Sequence, residues 1–281
     1  MKPMPPPIQS GEFARFQEFF YQKSGITFGA TKRYFVDRRL LERMEATGTR
    51  CFEDYLTLLR FRDPRGEELQ NLINAMTVNE TYFFREHYQF RCLTDSILPA
   101  LTARRRPGDP LQIWSMPCST GEEPYSIALH LLEQWPGVDN WDVRILASDI
   151  DTRVLEQARL GEYDARALQH VPPEMLARYF TPLRQGRWRL ISDLRSSVEF
   201  RRVNITEPDE TRAYRDIDVI FCRNLLIYFD DASRRRAIEA LFDALRPGGF
   251  ICLGHSESMS RISSLFEVRK FPDAIVYQRP A

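Results

Sequence analysis

A surplus of charge of either sign is missing from this chain: 39 basic residues stand against 39 acidic ones over 281 positions. A dedicated polyanion binder is normally basic overall, so the balance argues against a nucleic-acid partner, although a total leaves local faces open. No run of about 18 uncharged apolar residues occurs, so no membrane span is expected. Cysteines are few and scattered (Cys51, Cys92, Cys118, Cys222, Cys252) without a C-x-x-C pair, the usage of a reducing cytoplasm. His87, His130, His170 and His255 lie too far apart for zinc-ligand spacing, so no metal is expected and each reads as structural or solvated. A secretory apolar segment is also lacking; Met1–Pro7, with Pro3, Pro5, Pro6 and Pro7, reads as an extended tail.

What is present is apolar mass. The hydrophobic set makes up 43% and aromatics 12%, which excludes a disordered chain and supplies at least one large core. At roughly 100–200 residues per domain, two domains are expected. After a tail over 1–9, residues 10–78 read as all-helical. Phe13, Phe16, Phe19 and Phe20 recur at helix spacing after Ser10 as N-cap, and Gly25 ends the run. A second helix covers Lys32–Ala46, closed by Gly48. A third carries Phe52, Tyr55, Leu56 and Leu59 as far as Pro64. A fourth starts near Glu67 with Leu69, Leu72, Ile73 and Met76 inward. Residues 79–110 read as a linker and interdomain helix.

From 111 to 281 short apolar runs alternate with helical patterns. Leu111–Met116, Val143–Ala147, Val198–Val203, Val219–Cys222 and Phe250–Leu253 are predicted strands. Helices are predicted over Glu122–Gln134, Thr152–Arg159 and Ala232–Leu245. Such alternation specifies a doubly wound parallel sheet. Phe266–Lys270 and Ala274–Gln278, around Pro272-Asp273, predict a closing hairpin. The stretch of about 161–199, with Pro172, Pro173, Pro182 and Gly186, reads as an insertion: a helical turn near Glu174–Tyr179, then small antiparallel strands.

Five stretches carry chemistry. W-S-M-P-C-S-T-G-E-E-P-Y-S (Trp114–Ser126) joins a strand to a helix at the sheet edge where α/β proteins bind ligands. It is not G-x-G-x-x-G, so a pyrophosphate cradle and a nicotinamide dehydrogenase are disfavoured. Glu122 and Glu123 suit the positive end of a helix dipole, repel phosphate and attract a cation; ordinary N-terminal acids have the same appearance. A-S-D-I-D-T (Ala147–Thr152) ends the next strand on Asp149, where a carboxylate accepts ribose hydroxyls, while Asp151 suits an N-cap. An acidic turn beside a ribose-type acid fits a nucleoside without phosphates, such as S-adenosylmethionine. D-V-I-F-C-R-N-L-L-I-Y-F (Asp218–Phe229) brings Arg223, Asn224 and Tyr228 to the same edge. L-R-P-G-G-F (Leu245–Phe250) is a helix-to-strand turn. N-E-T-Y-F-F-R-E (Asn79–Glu86), at the junction of the two regions, reads either as a polar linker or as a segment reaching over a ligand with Asn79, Thr81 and Arg85.

N-E-T-Y-F-F-R-E, S-T-G-E-E-P-Y-S, A-S-D-I-D, F-C-R-N-L-L-I-Y-F and G-H-S-E-S (Gly254–Ser258), in this order, resemble the CheR family of chemotaxis receptor methyltransferases over about residues 10–279. The resemblance implies a class I S-adenosylmethionine-dependent methyltransferase fold with a small antiparallel β insertion and an N-terminal all-α domain. It implies methyl transfer from S-adenosyl-L-methionine, leaving S-adenosyl-L-homocysteine, to glutamate side chains on chemoreceptor cytoplasmic helices. Cofactor contacts then fall on Asn79, Thr81, Arg85, Glu123, Asp149, Asn204, Asn224 and Leu225, with Arg85 and Tyr228 near the transferred methyl. The insertion matches a subdomain that docks a receptor's C-terminal peptide in some members. A cytoplasmic protein recruited to receptor arrays is implied, with room for a regulatory adaptor protein.

A glutamate nucleophile, with a pKa of about 4.3, is already ionised at neutral pH, so no general base is required. In Lys32–Met44 five basic residues face two acidic ones. Lys32, Arg39 and Arg43 fall within about 40° of one another on a helix. That stripe is either solvated surface or a dock for an acidic receptor helix. A class I methyltransferase acting on a small molecule, and a non-catalytic cofactor-binding signalling module, are the competing readings.

Overall fold

The computed structural model describes residues 6–103, 105–259, 262–272 and 274–281. Of the expected tail, residues 1–5 lie outside the described residues, as does Asp273 of the expected hairpin turn. The chain divides into two units, one made of residues up to Val78 together with Tyr228–Ser233, the other of Asn79–Ile227 and Arg234–Ala281.

In the first unit the aromatic spacing produces α1 (Ser10–Ser24), which buries Phe13, Phe16, Phe19 and Phe20. Its N-cap is Gln9 rather than Ser10, because the Glu12 carboxylate reaches back to the Gln9 N–H at 2.7 Å, one arm of a capping box. Gly25 closes α1 and Gly48 closes α2 (Arg33–Thr47), both in the left-handed conformation that glycine adopts without steric cost. α3 (Phe52–Thr57) runs on into a π-helical turn, Leu58–Arg62, and α4 (Glu67–Met76) follows. Asp63 starts α4 by accepting the Glu67 and Leu69 N–H groups, both at 2.9 Å. Residues 228–233 join this unit through a bridge between Ile26 and Phe229 and through the Tyr21 hydroxyl, which donates to Asp230 at 3.2 Å.

The second unit is built on β1 (Pro110–Ser115), β2 (Asp142–Asp149), β3 (Glu162–Tyr163), β4 (Phe180–Pro182), β5 (Trp188–Leu190), β6 (Val198–Arg202), β7 (Ile217–Cys222), β8 (Leu245–Leu253), β9 (Glu267–Lys270) and β10 (Ile275–Gln278). The seven-stranded sheet runs β6-β2-β1-β7-β8-β10-β9. Its first five strands are parallel, and the β9–β10 hairpin adds antiparallel to β8. Sequence order reverses between β1 and β7, so a crevice opens there at the carboxyl ends of the strands. β3, β5 and β4 form a separate three-stranded antiparallel sheet inside the insertion.

The helices of this unit are α5 (Tyr88–Cys92), continued through a π-helical turn at Leu93–Ile97 into α6 (Leu98–Thr102), then α7 (Glu122–Gln134), α8 (Thr152–Leu160), α9 (Pro173–Tyr179), α10 (Ser192–Ser196) and α11 (Pro208–Thr211). α12 (Asp231–Ala244) begins in the stretch shared with the helical unit and ends in the second. α7 packs on β1 and β2, and α8 on β2 and β6.

Two expectations change. Residues 79–110, read as a linker and interdomain helix, are counted with the α/β unit. Phe83, Phe84 and Phe90 are buried in its core, and Phe90 stacks on Phe221 of β7 at 6.0 Å. The Pro247-Gly248-Gly249 turn does not precede the last parallel strand but interrupts it: Leu245 already pairs with Ile217, and the ladder resumes at Phe250 opposite Val219. Proline cannot donate to a ladder, so the extra residues bulge out. Gly248 has φ +79°, and a Cβ on Gly249 would lie 3.1 Å from the Asp218 carbonyl oxygen.

Candidate active site

Four parallel strands deliver polar residues to one edge of the sheet. β1 ends at Ser115, and the turn after it holds Ser119 at φ 47° and Gly121 at φ 94° before α7 begins. Any side chain at Gly121 would collide with the Ala158 Cβ at 2.9 Å and the Tyr163 hydroxyl at 3.1 Å, so the turn packs tightly on α8 and β3.

β2 ends at Asp149, which is 3% exposed. Its Oδ2 accepts the Ser119 N–H at 2.9 Å and its Oδ1 accepts the Asp151 N–H at 3.0 Å, which ties the first turn to the second strand. Burial pushes its pKa up to about 6 against the pull of those backbone donors. Asp151 caps α8 by accepting from Arg153 and Val154 N–H and also takes a hydrogen bond from the Asn79 amide at 2.9 Å. Asn79 is therefore brought to the end of β2.

β6 leads to Asn204, whose Oδ1 accepts from the Thr206 N–H and hydroxyl at 3.1 and 2.8 Å in an Asx turn. β7 leads to Arg223 and Asn224. Asn224 has φ 59°, and the Glu257 carboxylate holds its turn by accepting N–H groups from Asn224 (2.7 Å), Leu226 (2.8 Å) and Gly254 (3.0 Å). Burial raises the Glu257 carboxyl, and these backbone donors oppose the rise.

Below this edge lies a charged knot. Arg223 is 5% exposed. It donates to Glu123 at 2.9 Å and to the Arg85 carbonyl at 2.6 Å, and pairs with Glu86 at 3.4 Å. Glu123 also accepts the Ser115 hydroxyl at 2.7 Å, and burial raises its carboxyl although Arg223 opposes the rise. Burial works in the same direction on Glu86, but Arg223 and His255 outweigh it and leave that carboxyl below its ordinary range. Arg85 itself is half-buried, with its guanidinium donating to the Glu80 carbonyl at 2.7 Å and lying over the Tyr82 ring.

These residues gather acidic groups at the carboxyl ends of the strands, on turns without a glycine-rich amide cradle. Residues 79–275 match the family model described as the CheR methyltransferase SAM binding domain, and residues 11–77 match that of the CheR methyltransferase all-alpha domain. The chain belongs to the CheR methyltransferase family. It is 52% identical to "Chemotaxis protein methyltransferase 2" of Vibrio cholerae, over 97% of this chain and 94% of the relative. It is 40% identical to "Chemotaxis protein methyltransferase" of Klebsiella aerogenes, over 94% and 88% respectively. It is also 40% identical to "Chemotaxis protein methyltransferase 2" of Pseudomonas aeruginosa, over 90% and 89%. The α/β unit thus has the class I fold of S-adenosylmethionine-dependent methyltransferases, joined to an all-α domain and carrying the small antiparallel insertion.

The cleft of this CheR-family chain fits the cofactor. The buried Ser119 Oγ has no hydrogen-bond partner and belongs to the turn held by Asp149. A ribose and an amino acid need hydroxyl and carboxylate partners of this kind, and the sulfonium cation suits the acidic surroundings. Asn79, Glu123, Asp149, Asn204, Asn224 and Leu225 all come from the carboxyl edge of the sheet or from the segment bonded to it. Thr81 and Arg85 lie on that same segment. Tyr228 falls in the stretch that packs with the helical unit, where its carbonyl accepts the Thr27 N–H at 3.1 Å.

In the helical unit the basic stripe is partly neutralised. Arg43 forms a fork on Glu68, whose Oε1 also accepts the buried Tyr55 hydroxyl at 2.6 Å, and Arg39 donates to Glu42 at 2.8 Å. Lys32 is exposed just before α2.

Sequence reasoning placed Arg223 at the sheet edge without assigning it a contact, and missed Glu86 and Glu257. All three stand inside quoted motifs. The partners of Arg223 and Glu257 are 100 and 33 residues away respectively, and no local signal marks such pairings.

Proposed function

We infer that this chain transfers a methyl group from S-adenosyl-L-methionine to glutamate side chains of chemoreceptors, forming glutamate methyl esters. The observation that carries this reading is that both family models match, the all-α one and the cofactor-binding one, and together they account for residues 11–77 and 79–275. When bound, the cofactor supplies a sulfonium methyl open to in-line displacement by a carboxylate oxygen.

The remaining work belongs to the chain's own residues. Asp149, Asn79, Thr81, Asn204, Asn224 and Leu225 bind and orient the nucleoside and amino-acid parts, and Glu123 adds negative charge beneath them. Arg85 holds one oxygen of the substrate carboxylate so that the other is aimed, a charge-assisted contact that must remain loose enough to leave the nucleophile reactive. Orientation of this kind supplies several of the ~7–11 kcal/mol available from proximity. No residue is needed as a base, because the substrate arrives ionised.

The Lys32, Arg39 and Arg43 face of the helical unit is the proposed dock for an acidic receptor helix, with Arg43 committed to the buried Glu68, Arg39 paired with Glu42 on the helix surface, where a receptor carboxylate competes for it, and Lys32 exposed. Recruitment to receptor arrays in the cytoplasm, peptide docking on the insertion and a regulatory adaptor protein belong to the same proposal. No described helix is long and apolar enough to cross a membrane.

The test is incorporation of labelled methyl into the cytoplasmic helices of a candidate receptor by the purified chain. Label released by mild base identifies a carboxyl ester. Base-stable label, or label confined to a small molecule in a metabolite mixture, refutes the reading.

A further inference from the structure

We propose that Arg223 is a positioning residue for methyl transfer: pinned between Glu86 and Glu123, it fixes the main chain of Arg85. The proposal rests on Arg85 being the group that meets the substrate carboxylate.

The first observation is how the guanidinium is used. Nη2 donates to the Arg85 carbonyl at 2.6 Å and lies 3.4 Å from Glu86, while Nη1 donates to Glu123 at 2.9 Å. Its Cζ lies 5.8 Å above the Phe90 ring. A buried arginine is costly unless its charge is met, and here two carboxylates from separate segments meet it. Its terminal nitrogens are occupied inside the protein, so it acts on the site through Arg85 and Glu123.

The second observation is independent. The residues on either side of Arg85 both have left-handed backbone, Phe84 at φ 58° and Glu86 at φ 57°. Non-glycine residues hold such conformations only where the surroundings over-determine them. On one side Phe84 is buried and its N–H donates to the Ser126 hydroxyl at 2.9 Å. On the other the Glu86 carboxylate gathers Arg223, the Gln89 amide at 3.0 Å, the Tyr88 hydroxyl at 3.2 Å and His255 Nδ1 at 3.0 Å. Between these clamps the Arg85 carbonyl has Arg223 as its donor. Lysine cannot reproduce this, because a single ammonium does not span three acceptors set for a planar fork.

The experiment is a double-mutant cycle in the full chain, using Arg85→Ala, Arg223→Lys and the pair. A misplacement of about 1 Å costs up to about 100-fold in rate. Arg223→Lys is therefore expected to lower kcat about 10- to 100-fold, with the receptor KM and the S-adenosylhomocysteine Kd within about threefold. In the Arg85→Ala background it should add no further loss, because coupled residues are non-additive. Loss by the same factor in both backgrounds overturns the proposal, as does a weakened Kd with unchanged kcat.

Hydrogen exchange gives a readout without turnover. In Arg223→Lys the amides of residues 83–87 should exchange faster while the melting temperature and the other segments stay at wild-type values, and unchanged exchange overturns the proposal even if Arg85→Ala is too slow to assay. A fully active Arg85→Ala would sink the role of Arg85, and this one with it. An inactive Arg85→Ala beside a fully active Arg223→Lys overturns only the role of Arg223.

Discussion

Removing the Asp149 carboxylate should uncouple cofactor binding from the fold, and the size of the effect follows from its hydrogen bonds. Oδ1 is engaged by Asp151 N–H and Oδ2 by Ser119 N–H. The Ile150 N–H is a third backbone donor to this carboxylate, so one of its about four lone-pair sites stays open, and in our reading it takes a ribose hydroxyl. A hydrogen bond to a charged acceptor contributes about 1.5–3 kcal/mol. At about 1.4 kcal/mol per decade, the Kd for S-adenosylhomocysteine should weaken by about 10- to 100-fold in Asp149→Ala. Asp149→Asn should also bind poorly, since its new NH2 group must face a backbone N–H. The pH dependence has a fixed sign. Burial raises this carboxyl to about 6, so it takes up a proton early as the pH falls, and the ionised form is the one that accepts the ribose hydroxyl while keeping its backbone donors. Wild-type affinity should therefore weaken about tenfold between pH 7.5 and pH 5, while Asp149→Asn should show a flat profile. Isothermal calorimetry across that range, with thermal melts to confirm folding, measures both effects. An Asp149→Ala protein with Kd within threefold of wild type, or a wild-type Kd level across the range, would refute the ribose role.

Three further outcomes are expected. Glu122 is 4% exposed, and burial pushes it from 4.5 up to about 7 against the Thr120 hydroxyl and its own backbone N–H, which hydrogen-bond its carboxylate. A carboxyl raised in the folded state costs stability as pH climbs through that window, so the advantage of Glu122→Gln should grow from near zero at pH 4.5 to about 3 kcal/mol at pH 8; parallel denaturation profiles would disprove it. Glu68→Ala strands the buried Tyr55 hydroxyl and the Arg43 fork and should destabilise the helical unit by about 2–3 kcal/mol in urea unfolding; a change below about 0.5 kcal/mol would remove Arg43 from any structural role. Lys32→Glu with Arg39→Glu should raise the receptor KM several-fold at low salt and much less at high salt, because exposed charges are screened; equal KM at low salt would leave that face as ordinary surface.

The sheet edge was legible because its signals are local. A run such as Val143–Ala147 followed by Ser148-Asp149 marks a strand and its polar end within a few residues, and β1, β6 and β7 carry such ends too. The insertion was legible from its prolines, which forbid both a long helix and a central strand there. What escaped was decided by distant partners. Phe83 and Phe84 face the α/β core through contacts with Phe180, Tyr163 and Phe90, so the membership of residues 79–110 had no local mark. The bulge at Pro247 depends on Ile217 and Val219 across the ladder, and a turn and a bulge have the same composition. Arg43 looked like docking charge because Glu68, its partner, lies 25 residues further on.

The same distinction explains why zero net charge is uninformative about the cleft. Within the α/β unit, Glu86, Glu123, Asp149, Asp151 and Glu257 cluster at the carboxyl ends of the strands, against Arg85 and Arg223. Arg223 is spent on two of those acids and Glu257 on backbone amides. Asp149 takes three backbone donors and has one of its about four lone-pair sites left, in surroundings where charges interact more strongly than in water. A phosphate entering there would meet acids and no glycine-rich amide cradle, whereas a sulfonium cation joined to a ribose meets charge of the right sign and hydroxyl acceptors. We therefore read a preference for a phosphate-free cationic nucleoside as an outcome of where the acids are buried.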